Sequence, residues 1–187
     1  MMTGVLNIAN LITFMRLLCV PFFITSVLYL EAGRLYLHYV PLAIFAVAIV
    51  SDALDGFLAR VLNQRTKLGA WLDPLADKLL LISSFVLFGA ISNMPQLKLP
   101  IWLVALVISR DIIIVLGAVF VHMFKGVVHL APSYLGKITT FFQMMVILAR
   151  LADINYFKNE LWAVAAFFTL ASGLDYILKG LKQLNVK

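Results

Sequence analysis

The chain has 187 residues, 63% of them hydrophobic and only 13% charged. That balance excludes a water-soluble domain built round a single core and predicts an all-α integral membrane protein with six transmembrane helices. The net charge of +6 does not mark a nucleic-acid binder, because the lysines and arginines fall mostly in alternate loops and form no long basic run.

Each apolar segment predicts a helix, since the bilayer core leaves a spanning chain no other way to satisfy its backbone groups. The first, Leu11 to Leu30, carries Arg16 and the lone Cys19; it is too long for a removable signal and lacks a small-residue cleavage site, so it reads as a retained helix. Cys19 has no partner in the chain for an intramolecular disulfide. Glu31, Gly33 and Arg34 break the pattern before the second segment, Leu37 to Ala59, and Asn63 to Lys67 separate that from the third, Gly69 to Ser92. The fourth, Leu99 to Phe124, carries Arg110 and Asp111 at its middle; sequence neighbours do not face each other on a helix, so the two are expected to bind different partners. The fifth runs from Tyr134 to Leu151 and the sixth from Leu161 to Leu178, where Asp175 stands four residues before Lys179, the spacing of a helical ion pair. Trp71, Trp102 and Trp162 each fall near a segment start, as interfacial anchors do. His38, His122 and His129 have no spacing that suggests metal ligation. No boundary suggests a second domain, so residues 1–187 are read as one membrane domain.

One set of loops and ends carries Arg60, Arg65, Lys67, Lys125, Lys137, Lys179, Lys182 and Lys187, and the other carries Arg34, Lys98, Arg150 and Lys158. The bias places both termini on the cytoplasmic side. The protein is then a multi-pass resident of the cell inner (cytoplasmic) membrane, with the junction of the second and third helices facing the cytoplasm.

At that junction stand Asp52, Asp55, Asp73 and Asp77, four of the nine acids in the chain. An aspartate at bilayer depth costs a few kcal/mol, roughly 2.5–3.5 on insertion scales, so four together require something positive or wet. At about 100° per residue, Asp52, Asp55, Gly56 and Ala59 share one stripe of the second helix, and Gly69, Asp73 and Asp77 share one stripe of the third. Two carboxylate faces can meet across such a pair, and the small residues permit close approach. Hard oxygen donors with no nearby histidine or cysteine suit one or two Mg²⁺ or Mn²⁺ ions and argue against zinc. Such ions serve phosphoryl transfer by binding both the phosphates and the departing group.

The string Asp-x2-Asp-Gly-x2-Ala-Arg-x8-Gly-x3-Asp-x3-Asp, from Asp52 to Asp77, resembles the signature of the CDP-alcohol phosphatidyltransferases at every fixed position. The resemblance covers nearly the whole chain. It implies six transmembrane helices with the signature on the second and third, and CDP-diacylglycerol as phosphatidyl donor. It also implies two divalent ions held by Asp52, Asp55, Asp73 and Asp77, with Asp77 doubling as the base on the acceptor hydroxyl. Gly56, Ala59, Arg60 and Gly69 would then hold the CDP group. Asn7, Ile8, Asn10, Thr13, Arg16 and Pro21 resemble the family's N-terminal pattern, whose polar members face the nucleotide pocket; Asn10 and Thr13 are assigned to it here. Arg110 and Lys137 resemble the family's acceptor-site cations, and the family implies a homodimer among membrane lipids.

The acceptor stays open between two glycerol-bearing alcohols. Leu72-Asp73-Pro74-Leu75-Ala76-Asp77-Lys78 resembles both phosphatidylglycerophosphate synthases, which use glycerol 3-phosphate, and eukaryotic-type cardiolipin synthases, which use phosphatidylglycerol. Asp111 after Arg110, with no further arginine in Ile112 to Phe120, departs from the first pattern. The glycerol 3-phosphate reading is nonetheless placed first, as the commoner small bacterial type. From another class, a cation transporter could also use intramembrane acids, although the chain shows no internal repeat.

Overall fold

The computed structural model describes residues 8–31, 38–61, 67–125 and 133–185, with the side chains of 14–30, 38–51, 76–117, 119–121, 123 and 133–182. Among these residues the regular structure is all helix: α1 Ile8–Glu31, α2 Val40–Val61, α3 Lys67–Ala90, α4 Ile101–Lys125, α5 Tyr134–Leu151 and α6 Lys158–Asn185. The α5 bounds coincide with the expected ones, and the other ends differ by a few residues except at the close of α6. There the helix runs on past Leu178 to Asn185: Lys179, Gly180 and Lys182 break the continuous apolar run, but Leu181 and Leu184 carry the helical spacing on.

The chain divides into two compact units, the first Met1–Lys98 with Arg150–Asp153 and the second Leu99–Ala149 with Ile154–Lys187. In the first, α1 packs on both α2 and α3. Phe23 of α1 is fully buried, its ring 5.6 Å from Phe45 of α2 and 6.4 Å from Phe88 of α3, both tilted as aromatic quadrupoles prefer. Arg150 is buried in this unit and donates to the carbonyls of Pro95 at 3.2 Å and Lys98 at 3.4 Å.

In the second unit α4 packs on α6. Ser133 caps α5, its Oγ accepting from the Gly136 amide at 3.0 Å. The other end of α5 closes as a Schellman motif: Ile154 N–H bonds Ala149 O at 2.8 Å, Asp153 N–H bonds Arg150 O at 3.2 Å, and Asp153 takes the left-handed φ of 55°. Between α5 and α6, Gln143 Nε2 donates to Thr169 Oγ1 at 3.1 Å, and the Thr139 hydroxyl lies 2.8 Å from Phe168 O. Phe142 stacks on Phe168 beside them at 5.0 Å.

Among the described residues two helices are long and apolar enough to cross a bilayer, Ile101–Val121 with mean hydropathy 2.4 and Lys158–Lys182 with 1.6. Shorter apolar stretches occupy Phe14–Leu30 and Val40–Ser51. Along α4, Ile112, Val115, Leu116, Val119, Phe120 and Met123 are all exposed. An outward face that apolar is stable in lipid and not in water.

Packing and hydrogen bonding should weigh differently in these units. Phe23→Ala opens a cavity beside the Phe45 and Phe88 rings and is expected to cost about 3 kcal/mol. Gln143→Leu removes one interhelical hydrogen bond, for which about 0.6 kcal/mol is typical in membranes. Reversible unfolding in detergent micelles measures both, and the first loss should exceed the second.

Candidate active site

The stripes expected from spacing require unbroken helix, and the backbone supplies it. Helix α2 runs through Asp52, Asp55, Gly56, Ala59 and Arg60, and α3 through Gly69, Asp73 and Asp77. Three- and four-residue steps are therefore true helical steps here, placing each set along one side of its helix. Both helices pack on α1, which carries Asn10, Thr13 and Arg16. Among these residues, the side chains of Asn10, Thr13, Asp52, Asp55, Gly56, Ala59, Arg60, Gly69 and Asp73 lie outside the described residues, as does all of Asn7.

Asp77 is described, and it is not isolated. Arg16 Nη1 donates to Asp77 Oδ1 at 3.1 Å, joining α1 to α3. The Arg16 side chain is 0% exposed and that of Asp77 27%, so the pair reaches from the interior to an accessible surface. A guanidinium buried in an apolar helix demands an anion, and this contact answers that demand. Sequence reading placed Arg16 only within an N-terminal pattern. The missed signal was simple: a cation inside one apolar segment needs an acid on another.

Donor chemistry at the α2–α3 positions fits a hard divalent cation, being carboxylate throughout, one turn or less apart on continuous helices. Among the described residues no three acid, histidine or cysteine side chains gather, and Asp77 is the one of the four aspartates whose side chain is described.

A second polar cluster lies in the other unit. Arg110 Nη1 donates to Asp111 Oδ1 at 2.7 Å and Nη2 to Ser172 Oγ at 2.6 Å, while its guanidinium carbon sits 5.5 Å from the centre of the Tyr176 ring. This corrects the expectation of separate partners for Arg110 and Asp111. Their Cα–Cβ bonds do diverge, but a long guanidinium folds back to reach its neighbour's carboxylate when lipid-like surroundings offer no water. Both side chains are buried, and Arg110 Nε has no hydrogen-bond partner among the described residues. Arg110 and Ser109 also line a cavity of about 220 Å³ between α4 and α6, with Thr169, Gly173 and Ile177 opposite.

Gly136 lets this cluster pack close against the backbone of α5. A Cβ there would meet Ser133 Oγ at 3.3 Å, the Tyr176 hydroxyl at 3.3 Å and Arg110 Nη2 at 3.4 Å. Lys137, the next residue, points its ammonium elsewhere, 5.9 Å from the centre of the Tyr134 ring, and Tyr134 is 84% exposed. Arg110 and the backbone at Gly136 are thus neighbours, whereas the Lys137 charge lies toward the surface. Ser172 and Tyr176 were not foreseen, having no motif of their own. Asp175 does pair with Lys179, at 2.6 Å, as their spacing predicts.

The family model for CDP-alcohol phosphatidyltransferase matches residues 6–175, which takes in α1, the whole aspartate string, Arg110 and Lys137. The chain belongs to the CDP-alcohol phosphatidyltransferase family. It is 37% identical to the CDP-diacylglycerol–glycerol-3-phosphate 3-phosphatidyltransferase of Escherichia coli, over 91% of this chain and 93% of that one. It is 33% identical to the enzyme of the same name from Aquifex aeolicus, over 96% and 98%. A probable phosphatidylglycerophosphate synthase of Mycobacterium tuberculosis is 30% identical, over 96% and 84%. This phosphatidyltransferase is therefore an enzyme with apolar, membrane-embedded helices.

Removing the Ser172 hydroxyl should expose what Arg110 requires. Ser172→Ala leaves a buried guanidinium nitrogen without its acceptor, an expected loss of about 1–3 kcal/mol in detergent unfolding.

Proposed function

We propose that the protein transfers the phosphatidyl group of CDP-diacylglycerol to glycerol 3-phosphate, releasing CMP and forming phosphatidylglycerophosphate. The observation that carries this reading is the complete aspartate string on two unbroken helices, in a chain of this family whose relatives bear that activity in their names. The protein is read as one membrane domain of six transmembrane helices in the cytoplasmic membrane. Its site faces the cytoplasm and the enzyme works as a homodimer.

In the reaction, the acceptor's hydroxyl oxygen attacks the β-phosphorus of the CDP-lipid, the bond from that phosphorus to the CMP oxygen breaks, and the hydroxyl proton passes to Asp77. Asp52, Asp55, Asp73 and Asp77 would hold Mg²⁺ or Mn²⁺, two ions, supplying charge neutralisation for the phosphates and the departing CMP. Gly56 and Gly69 let the nucleotide come close to the helices, and Ala59, Arg60, Asn10 and Thr13 complete its binding. Arg110 and Lys137 bind the acceptor. No serine, cysteine or histidine occupies a fixed motif position, so transfer is direct and forms no phosphatidyl-enzyme.

Cardiolipin synthesis is the second reading, favoured by one observation: Arg110 is bonded to Asp111, and no further arginine follows in Ile112 to Phe120. A dianionic acceptor calls for more cation than that. The deciding experiment supplies purified protein with CDP-diacylglycerol, Mg²⁺ and either glycerol 3-phosphate or phosphatidylglycerol, and follows CMP release and product mass. Release of CMP with glycerol 3-phosphate is expected. Release with phosphatidylglycerol alone selects the second reading, and none with either acceptor leaves the cation-transport alternative.

Chelation by EDTA should abolish turnover, and Asp73→Asn should require much more Mg²⁺, because an amide keeps the shape but loses the charge that opposes a dication. A titration of rate against Mg²⁺ checks both. Arg110→Ala should raise the acceptor KM about 10- to 100-fold, equivalent to a charge-assisted bond of about 1.5–3 kcal/mol, with little change in the CDP-diacylglycerol KM. Steady-state kinetics with each substrate varied separates the two constants.

A further inference from the structure

We propose that Arg16 is a positioning residue for the transfer, acting through Asp77 and not on the nucleotide. This deepens the reading above and rests on Asp77 being the base. The family's N-terminal pattern would send Arg16 to the nucleotide pocket, but its guanidinium bonds Asp77 Oδ1 at 3.1 Å and shows no exposed side-chain surface.

Three observations carry the assignment. Arg16 stands on α1, which packs on both α2 and α3, so its backbone is held against two neighbouring helices. Asp77 sits on α3 with its backbone in regular helix and its side chain part-exposed, so one end of the carboxyl is anchored inward while accessible surface remains. The bond bridges two helices, and so it sets the side chain of Asp77 relative to α1 as well as to its own backbone.

An aspartate on a helix has alternative χ1 wells and a broad χ2, and a base must stand within hydrogen-bond reach of the proton it takes. A misplacement of about 1 Å can cost ~100-fold in rate. A buried, charge-assisted anchor on one oxygen selects the rotamer before substrate arrives. A cationic partner adds Coulomb attraction to the hydrogen bond, which a neutral donor to the same carboxylate lacks.

The test compares Arg16→Gln and Arg16→Lys with wild type and Asp77→Asn, all purified in detergent. Four quantities are read: kcat, the CDP-diacylglycerol KM, equilibrium binding of CMP in the presence of Mn²⁺, and the unfolding midpoint. Losing the charge-assisted bond should lower kcat roughly 10- to 100-fold in Arg16→Gln. KM and CMP binding should stay within about threefold, and Arg16→Lys, which keeps the charge, should recover much of the rate.

Unchanged kcat in Arg16→Gln overturns the proposal. So does CMP binding weakened tenfold or more, which assigns Arg16 to the nucleotide. A rate loss that merely tracks the unfolded fraction, with lysine no better than glutamine, makes the pair structural only. Should Arg16→Gln fail to fold, the lysine variant decides through the same split between kcat and KM. Robust turnover by Asp77→Asn removes the underlying reading instead. An inactive Asp77→Asn beside fully active Arg16 variants removes this inference alone.

Discussion

A guanidinium with no exposed surface inside an apolar helix is the constraint on which the first unit turns. Arg16 needs an anion, the anion must come from a neighbouring helix, and Asp77 on α3 provides it. Fixing that contact fixes the rotation of α1 against α3, because a slip of one residue on either helix would carry one partner about 100° away from the other. The packing of Phe23 against Phe45 and Phe88 adds a second restraint two turns along α1, and the two together define how α1 meets its neighbours. Aromatic packing supplies the adhesion, and the ion pair supplies the register. A buried pair is weak as a source of stability, since desolvation offsets its Coulomb energy, but it is intolerant of mismatch.

Among the described residues three arginines are buried, and each is held by a different chemistry. Arg16 takes a carboxylate from another helix, and Arg150 takes backbone carbonyls of Pro95 and Lys98. Arg110 takes its own neighbour Asp111 and a serine hydroxyl from α6. The carbonyl solution ties a loop to α5, with Asp153 adding Coulombic attraction rather than the main contact, which suits a structural tie. The other two place a carboxylate beside a cation in surroundings poor in water, where electrostatic interactions are strongest. They are also the two that fall in regions to which the proposed chemistry is assigned.

Much of this was legible in the sequence, for definable reasons. Helix positions follow from hydropathy, because lipid imposes one solution on the backbone, and α5 was delimited correctly by Tyr134 and Leu151. The aspartate string stands out in the sequence because its spacing matches the continuous helices α2 and α3. What escaped was pairing. Arg110 and Asp111 were separated by a rule about Cβ directions that neglects the reach of arginine, and Asp77 was read wholly as a ligand and base with Arg16 left aside. Ser172 and Tyr176 gave no signal, since a serine and a tyrosine in an apolar helix are ordinary until a buried cation needs them. The end of α6 falls later than Leu178 because Lys179, Gly180 and Lys182 interrupt the apolar run without ending the helical spacing, which Leu181 and Leu184 continue.

The Arg110 cluster bears on the choice of acceptor through charge rather than shape. With Nη1 on Asp111 and Nη2 on Ser172, the guanidinium has already spent its two most reachable faces, and its net field is reduced by the adjacent carboxylate. On the proposed assignment, a phosphate arriving here must either displace one of these partners or approach from the Nε edge, which lacks a hydrogen-bond partner among the described residues. Displacing Ser172 is the cheaper route, because a neutral hydroxyl holds the guanidinium less strongly than a carboxylate does. Nη2 also packs close to the backbone at Gly136, where even a methyl group would crowd it, so the phosphate takes the place that the Ser172 hydroxyl leaves. The acceptor's phosphate would then bind opposite Asp111 and share Arg110 with it, so its second negative charge must be met by another cation. Lys137 is one residue from Gly136 but turned toward Tyr134, a contact of an exposed side chain that costs little to break. A dianion could draw it across, whereas a phosphodiester, with a single charge, would leave it where it stands.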